Sequence, residues 1–337
     1  MSRDRSPRRL RLLRRIDRRA LIAASVTALS VTASGCVVVH GEREVLPATT
    51  RAEAAKALQE FTTAYNDADK AYDSSLDADH VTGPLGDIDA ARLKAGSVTS
   101  PDGNPSHTPL KLTDVKYTIT EKAGWPRWFV VDAAANKGGS ARWLFVFTRG
   151  GLDEPFQAAY LTLVAPDDVP QFKTDADGWA EAVPVNSTEL TVAPKDLSQD
   201  YATYLQNGKG TVFADGTHTS GWRTARQKAA KKPGLVKQYI DEPLTSGAYA
   251  PLALRTKDGG AAVFFTTRHY EKQTAAPGTS VPAQTAAVQA LTTGEVKQSL
   301  TLESVSNEIA LDPPRSTAGG QVKLLGRIQG LTAGKGA

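Results

Sequence analysis

Cysteine, histidine and long apolar runs are all scarce in this chain. Of its 337 residues one is Cys, at position 36, and five are His. A lone thiol excludes an intrachain disulfide. The histidines, His40, His80, His107, His218 and His269, never lie within four residues of one another, so the paired spacing of a preformed zinc site is missing. The chain also lacks a Gly-x-Ser-x-Gly elbow, a Walker loop and a dinucleotide-binding Gly fingerprint. No catalytic residue, no metal ligand and no cofactor is therefore expected from motifs; an enzyme with a dispersed site is not excluded.

Basic charge is also scarcer than the total suggests. Of the 40 Lys and Arg, nine Arg lie in the first 35 residues together with two of the 36 acidic residues, leaving 31 against 34, a formal charge of −3 for the remainder. Such a body has no footprint for a phosphate backbone, so no nucleic acid partner is expected.

What is present at the N-terminus is an address. A basic stretch through Arg19 is followed by an apolar one, Ala20 to Ala33, then by Ser34, Gly35 and Cys36. Fourteen residues at about 1.5 Å each fall short of the roughly 30 Å hydrocarbon core of a bilayer. The order is that of a signal peptide over 1–35, cut between Gly35 and Cys36. Ala33-Ser34-Gly35-Cys36 resembles the lipobox of bacterial lipoproteins, which implies a Cys36 thiol acylated with palmitate-type chains and a partner in membrane lipid. Two such chains hold a folded body on a membrane essentially permanently. Asp17-Arg18-Arg19-Ala20-Leu21-Ile22 resembles a twin-arginine export signal, which makes Arg18 and Arg19 the export residues. Residues 36–50 read as a tether.

Beyond it the pattern is globular, with hydrophobic residues at 40% overall. Thr50 to Glu53 reads as a capping box, and Ala54, Ala57, Leu58, Phe61, Tyr65, Ala68 and Tyr72 recur at helical spacing. A second helix is expected near 88–94. Period-two and β-branched or aromatic runs then predict strands at Leu112–Ile119, Trp128–Val131, Trp143–Phe147 and Phe156–Val164, the middle pair joined by Asn136-Lys137-Gly138-Gly139. The second half repeats the order: a helix from Leu197 closed by Gly208, another over Trp222–Ala230, then strands at 236–240, 252–256, 262–267, 300–305 and 322–328. The expected architecture is α+β, two helix-on-antiparallel-sheet domains over 51–192 and 193–337, with an insertion at 274–293. Tyr117 and Tyr239 align at an offset of 122 residues. That reads either as a divergent duplication of a cystatin-like or NTF2-like cone or as two domains sharing a coarse order.

Tyr65-Asn66, Gly83-Pro84-Leu85, Asp87-Ile88-Asp89, Trp125-Pro126-Arg127-Trp128-Phe129, Leu144-Phe145-Val146-Phe147 and Asp177-Gly178-Trp179-Ala180 together resemble uncharacterised actinobacterial lipoproteins of the Streptomyces type with a domain of unknown function. The resemblance covers most of the body and implies no activity, so it assigns no site residue.

Weaker groupings remain. Asp73, Asp77, Asp79 and His80 are the densest ligand-type residues, but read better as a solvated helix end. Asp67-Ala68-Asp69 begins a calcium-loop pattern that then fails, with Tyr72 at the glycine position and Ala78 at the final carboxylate. His218-Thr219-Ser220 reads as turn chemistry with Ser220 capping the next helix. Arg223, Arg226, Lys228, Lys231 and Lys232 read as a solvent face, and Trp125, Trp128, Trp143 and Phe147 as sheet core. The functional expectation is a membrane-anchored extracytoplasmic lipoprotein, non-catalytic, binding an unknown envelope ligand or protein. The alternatives are an envelope hydrolase or isomerase with an acid–base site in a cone-shaped pocket, and a structural assembly factor.

Overall fold

The computed structural model describes residues 46–121 and 124–337. The signal segment, Arg18, Arg19, Gly35, Cys36 and the tether as far as residue 45 lie outside the described residues. The described residues lie within one compact unit.

The first helix, α1 (Arg51–Ala71), starts where expected: the Thr50 side chain accepts from Glu53 N at 3.1 Å. The capping box is only half closed. The Glu53 carboxylate turns to the Thr49 hydroxyl and, at 2.8 Å, to Arg149 on a strand instead. That tie clamps the start of the helix to the sheet beneath it. Tyr72, at φ 53°, ends it in the left-handed region. A second helix, α2 (Gly83–Thr99), is longer than its sequence pattern indicated and carries Pro84 in its first turn, where a missing N–H costs nothing.

Four strands follow, β1 (Leu112–Ile119), β2 (Arg127–Ala135), β3 (Arg142–Arg149) and β4 (Gln157–Val164), hydrogen-bonded in that order as an antiparallel meander. Gly138 and Gly139, both at positive φ, turn the chain between β2 and β3. The second half holds α3 (Leu197–Asn207), closed by Gly208 at φ 64° as expected, and α4 (Trp222–Ala229). Its strands are β5 (Lys231–Lys232), β6 (Leu235–Leu244), β7 (Leu252–Arg255), β8 (Ala261–Ala275), β9 (Thr292–Thr293), β10 (Ser299–Asp312) and β11 (Lys323–Gly336), with a short α5 (Ala286–Ala290) inside the expected insertion. The second sheet runs β5-β6-β8-β10-β11-β9, with β7 also on β8.

The fold is α+β with two antiparallel-rich sheets. Each sheet buries both faces. One face of the first sheet (Phe129, Val131, Phe145, Phe147) packs under Ala54, Leu58 and Phe61 of α1. Its other face (Trp128, Val130, Leu144, Val146, Tyr160) meets Leu254, Ala262, Phe264, Ile309 and Leu325 of the second sheet. The far side of that sheet (Val263, Phe265, Ala310) lies under Leu197, Tyr201 and Leu205 of α3. The layers are therefore helix, sheet, sheet, helix. Fully burying each Phe stabilises by roughly 1.5–3 kcal/mol, and Phe129 and Phe147 add a stacked pair 5.1 Å apart.

Two features tie the halves together. The segment after β4 bridges to Thr120 through Ala180 and to Leu254 through Ala182. On β11, Gly326 lies against Leu163 and Gly330 against Ile88 of α2, so close that a Cβ would fall 2.3 Å from the Leu163 carbonyl oxygen and 2.5 Å from the Ile88 side chain.

An offset of 122 residues sets the β2–β3 loop on the Lys257–Gly260 turn, which joins β7 to β8, and β7 pairs β8 off the main strand order of its sheet.

Candidate functional site

The face of the second sheet that is apolar under α3 becomes polar further along the same strands. On β8 the inward positions run Val263, Phe265, Thr267, His269, Glu271. On β10 their neighbours are Ala310, Glu308, Ser306, Ser304 and Leu302. β6 sets Asp241 beside His269, and β11 sets Arg327 beside Glu308. Trp222 and Arg226 cover this row from α4.

The register brings three residues into a chain. Asp241 Oδ1 lies 2.6 Å from His269 Nδ1, and His269 Nε2 lies 2.7 Å from Ser306 Oγ and 2.9 Å from Thr267 Oγ1. Thr267 donates to Glu308 Oε1 at 2.8 Å, and Ser306 also contacts that oxygen. With Nδ1–H given to Asp241, two hydroxyl protons remain for two acceptors, Nε2 and Glu308 Oε1, while the buried Glu308 Oε2 has no hydrogen-bond partner. Arg226 Nη1 donates to Asp241 Oδ2 at 2.8 Å. The guanidinium carbons of Arg226 and Arg327 lie 3.7 and 3.2 Å from the centre of the Trp222 ring, and His269 meets that ring edge-on at 4.8 Å.

All of this is deep. Asp241, His269, Thr267, Ser306 and Glu308 are buried. Burial holds Arg327 below the ordinary guanidinium range despite Glu308 and Tyr201 nearby. Above the row opens a cavity of about 250 Å³ lined by Trp222, Arg226, Tyr239, His269, Glu271 and Gln329 among others. Burial, with Glu271 as neighbour, pushes the Tyr239 hydroxyl up to about 12.

Asp241, His269 and Ser306 have the spacing of a hydrolytic triad. A nucleophile, however, must meet its substrate. Ser306 sits inside a central strand, fully buried, its hydroxyl held between imidazole and carboxylate. Of this row His269, Glu271 and Ser304 reach the cavity wall, and Ser306 does not. The arrangement is a rigid floor under a small polar and aromatic cavity.

A second buried polar cluster lies under α1 and α2. Arg92 Nη2 donates to Asp89 at 2.8 Å and Nη1 donates to Asp69, whose other oxygen is 2.8 Å from His107 Nδ1. Asp77, 1% exposed, faces Asp89. Burial first, then that neighbouring carboxylate, raises it to about 8.

The candidates singled out from sequence fare unevenly. Asp77 is buried, not solvated; Asp73 instead accepts from Ser75 N and Oγ within a turn. No cluster of three potential metal ligands occurs among the described residues. Ser220 does not cap α4: residues 217–221 form a wide turn, Ser220 Oγ accepts from Gly216 N at 3.4 Å, and Gly221 precedes the helix. Of the basic group, Arg226 turns inward to Asp241 and Arg223 donates to the Leu205 carbonyl at 3.2 Å. Lys228, Lys231 and Lys232 face solvent. Trp128, Trp143 and Phe147 are core, whereas Trp125 is half exposed.

Asp241, Thr267, His269, Ser306, Glu308 and Arg327 did not stand out in sequence. Their trace is alternation of polar residues, Thr267/His269/Glu271 and Ser304/Ser306/Glu308, directly adjoining apolar strand.

A family model for a domain of unknown function (DUF8094) matches residues 45–336. The chain is similar to an uncharacterized lipoprotein of Streptomyces coelicolor, 70% identical over 336 residues and covering both chains in full. It is also similar to one of Streptomyces avermitilis, 57% identical with the same coverage. A second uncharacterized lipoprotein of S. coelicolor is 25% identical over 273 residues, 74% of this chain and 75% of that one. No solved structure matches it.

Proposed function

The chain belongs to the DUF8094 family of uncharacterized lipoproteins, and on that premise we propose that it is a lipid-anchored extracytoplasmic protein whose body binds a small envelope ligand without transforming it. Residues 1–35 direct export, Arg18 and Arg19 selecting the twin-arginine route. Cleavage after Gly35 leaves Cys36 carrying palmitate-type chains in the membrane. Support for this part is the order of basic, apolar and small residues before a single Cys, together with the name of the relatives. No helix among the described residues is long and apolar enough to cross a membrane.

The observation that carries the binding reading is the cavity over Trp222, Tyr239 and His269. Its volume, about 250 Å³, lies just below the usual range of ligand pockets, roughly 300–1,000 Å³, so the occupant is small. Aromatic walls beside Arg226, Glu271 and Gln329 suit a polar ring. Titration of intrinsic fluorescence with N-acetylglucosamine and with glycerol phosphate, a neutral and an anionic envelope unit, tests this. A saturable response lost in Trp222→Ala supports it. No response to either probe from the folded protein refutes it for these classes.

The Asp241–His269–Ser306 distances favour one other reading, a hydrolase. Covalent labelling of the folded protein by a fluorophosphonate, absent in Ser306→Ala, establishes that reading; no labelling rejects it.

A further inference from the structure

The described chain begins at the rim of a second cavity. Leu46 is exposed, and Ala48 N donates to the Thr120 carbonyl at 2.8 Å. From Ala48 a groove of about 350 Å³ passes Trp125, Trp128, Val183 and Val185 to Leu252. Trp125 is 48% and Val185 42% exposed. Two large apolar side chains thus border the groove outward, beside a third on the segment that enters it. The Arg127 guanidinium lies 4.6 Å from the centre of the Trp125 ring. An indole with a cation on its face is the amphipathic combination that settles at lipid headgroup level.

Leu46 comes ten positions after Cys36. However those residues are arranged, ten steps span at most about 36 Å, so this rim stays within that distance of whatever Cys36 is attached to. We infer that Leu46, Trp125 and Val185 dock on the phospholipid surface that holds Cys36, with Trp125 at headgroup depth, so that the body is fixed in one orientation. The inference rests on acylation of Cys36. The groove carries Glu121 and Arg127, one charge of each sign, so docking depends on apolar contact and is insensitive to salt.

The test uses the full acylated lipoprotein in phosphatidylcholine vesicles with brominated acyl chains, which quench tryptophan within reach of the bilayer. Quenching of wild-type emission and about a threefold smaller quenched fraction in Trp125→Phe is the expected result. Val185→Ser, which keeps all five tryptophans, is expected to lower quenching with an unchanged circular dichroism spectrum. Vesicle-bound protein whose emission is indifferent to bromolipid, or equal quenching in wild type and both variants, overturns the docking. Protein that fails to float with the vesicles overturns the acylation of Cys36 and the docking with it.

Discussion

Replacing Asp77 by Asn is expected to stabilise the protein, and to do so only above mildly acidic pH. Asp77 is buried against Asp89, and its carboxyl is raised from 3.8 to about 8. A folded-state value above the unfolded one means that the native protein binds the extra proton. Stability is then full below about pH 4 and falls as pH rises through 8. Asp312, also buried and raised to about 7, acts in the same direction. The lowered carboxylates Glu53, Asp69, Glu181 and Asp258 lose their stabilisation only as pH falls towards their own range; Glu121 and Asp200, raised by burial, add to the fall, and His218, lowered from 6.5 by burial, opposes it below that pH. One pH unit is worth about 1.4 kcal/mol. Holding the Asp77 proton at pH 7 therefore costs up to about 4 kcal/mol, of which relaxation leaves roughly 2–3. An Asn side chain in its place would offer Asp89 a donor at no protonation cost. Urea unfolding midpoints between pH 5 and 8 are expected to fall in the wild type and to fall much less in Asp77→Asn. A variant less stable than wild type at pH 8, or a wild type without slope across this window, would refute the reasoning.

Other consequences are equally direct. Arg226→Met leaves Asp241 buried with His269 alone and is expected to cost about 3–5 kcal/mol in chemical unfolding; a cost under about 1 kcal/mol would show that the pair is not structural. Gly326→Ala forces a Cβ to within 2.3 Å of the Leu163 carbonyl oxygen and is expected to cost about 1–3 kcal/mol; a neutral effect would mean that β4 and β11 are not so close. Residues 51–192 and 193–337 as separate domains remain a proposal. The shared apolar layer between the sheets predicts that fluorescence and circular dichroism report one common unfolding transition, whereas two resolved transitions would favour independent domains.

The parts of the fold legible in sequence were those specified by one element's own pattern. Thr50 starts α1, Gly208 ends α3, and the two glycines after Lys137 turn the β2–β3 hairpin; that Tyr72, one of the helically spaced residues, leaves α1 at φ 53° was not legible. The stacking of the sheets leaves only a trace in the sequence. Trp128–Val131 and Trp143–Phe147 are continuous apolar runs, the mark of strands buried on both faces, while α1 can cover only one. The partner for the other face is over a hundred residues away. The site was hidden for a related reason. Strands were expected to stop at Thr267 and Val305, where alternate residues turn polar, yet β8 and β10 continue to Ala275 and Asp312. Those polar positions are strand interior, and Asp241, His269 and Ser306, 28 and 37 residues apart, meet only through the register of three strands.

Membrane anchoring is decided by where the mature chain begins and what its first residue carries. Mass spectrometry of the N-terminal peptide from membrane fractions is expected to find a chain starting at Cys36 with a thioether-linked diacylglycerol. An unmodified Cys36 in a polypeptide that still holds Arg18 and Arg19 would contradict it.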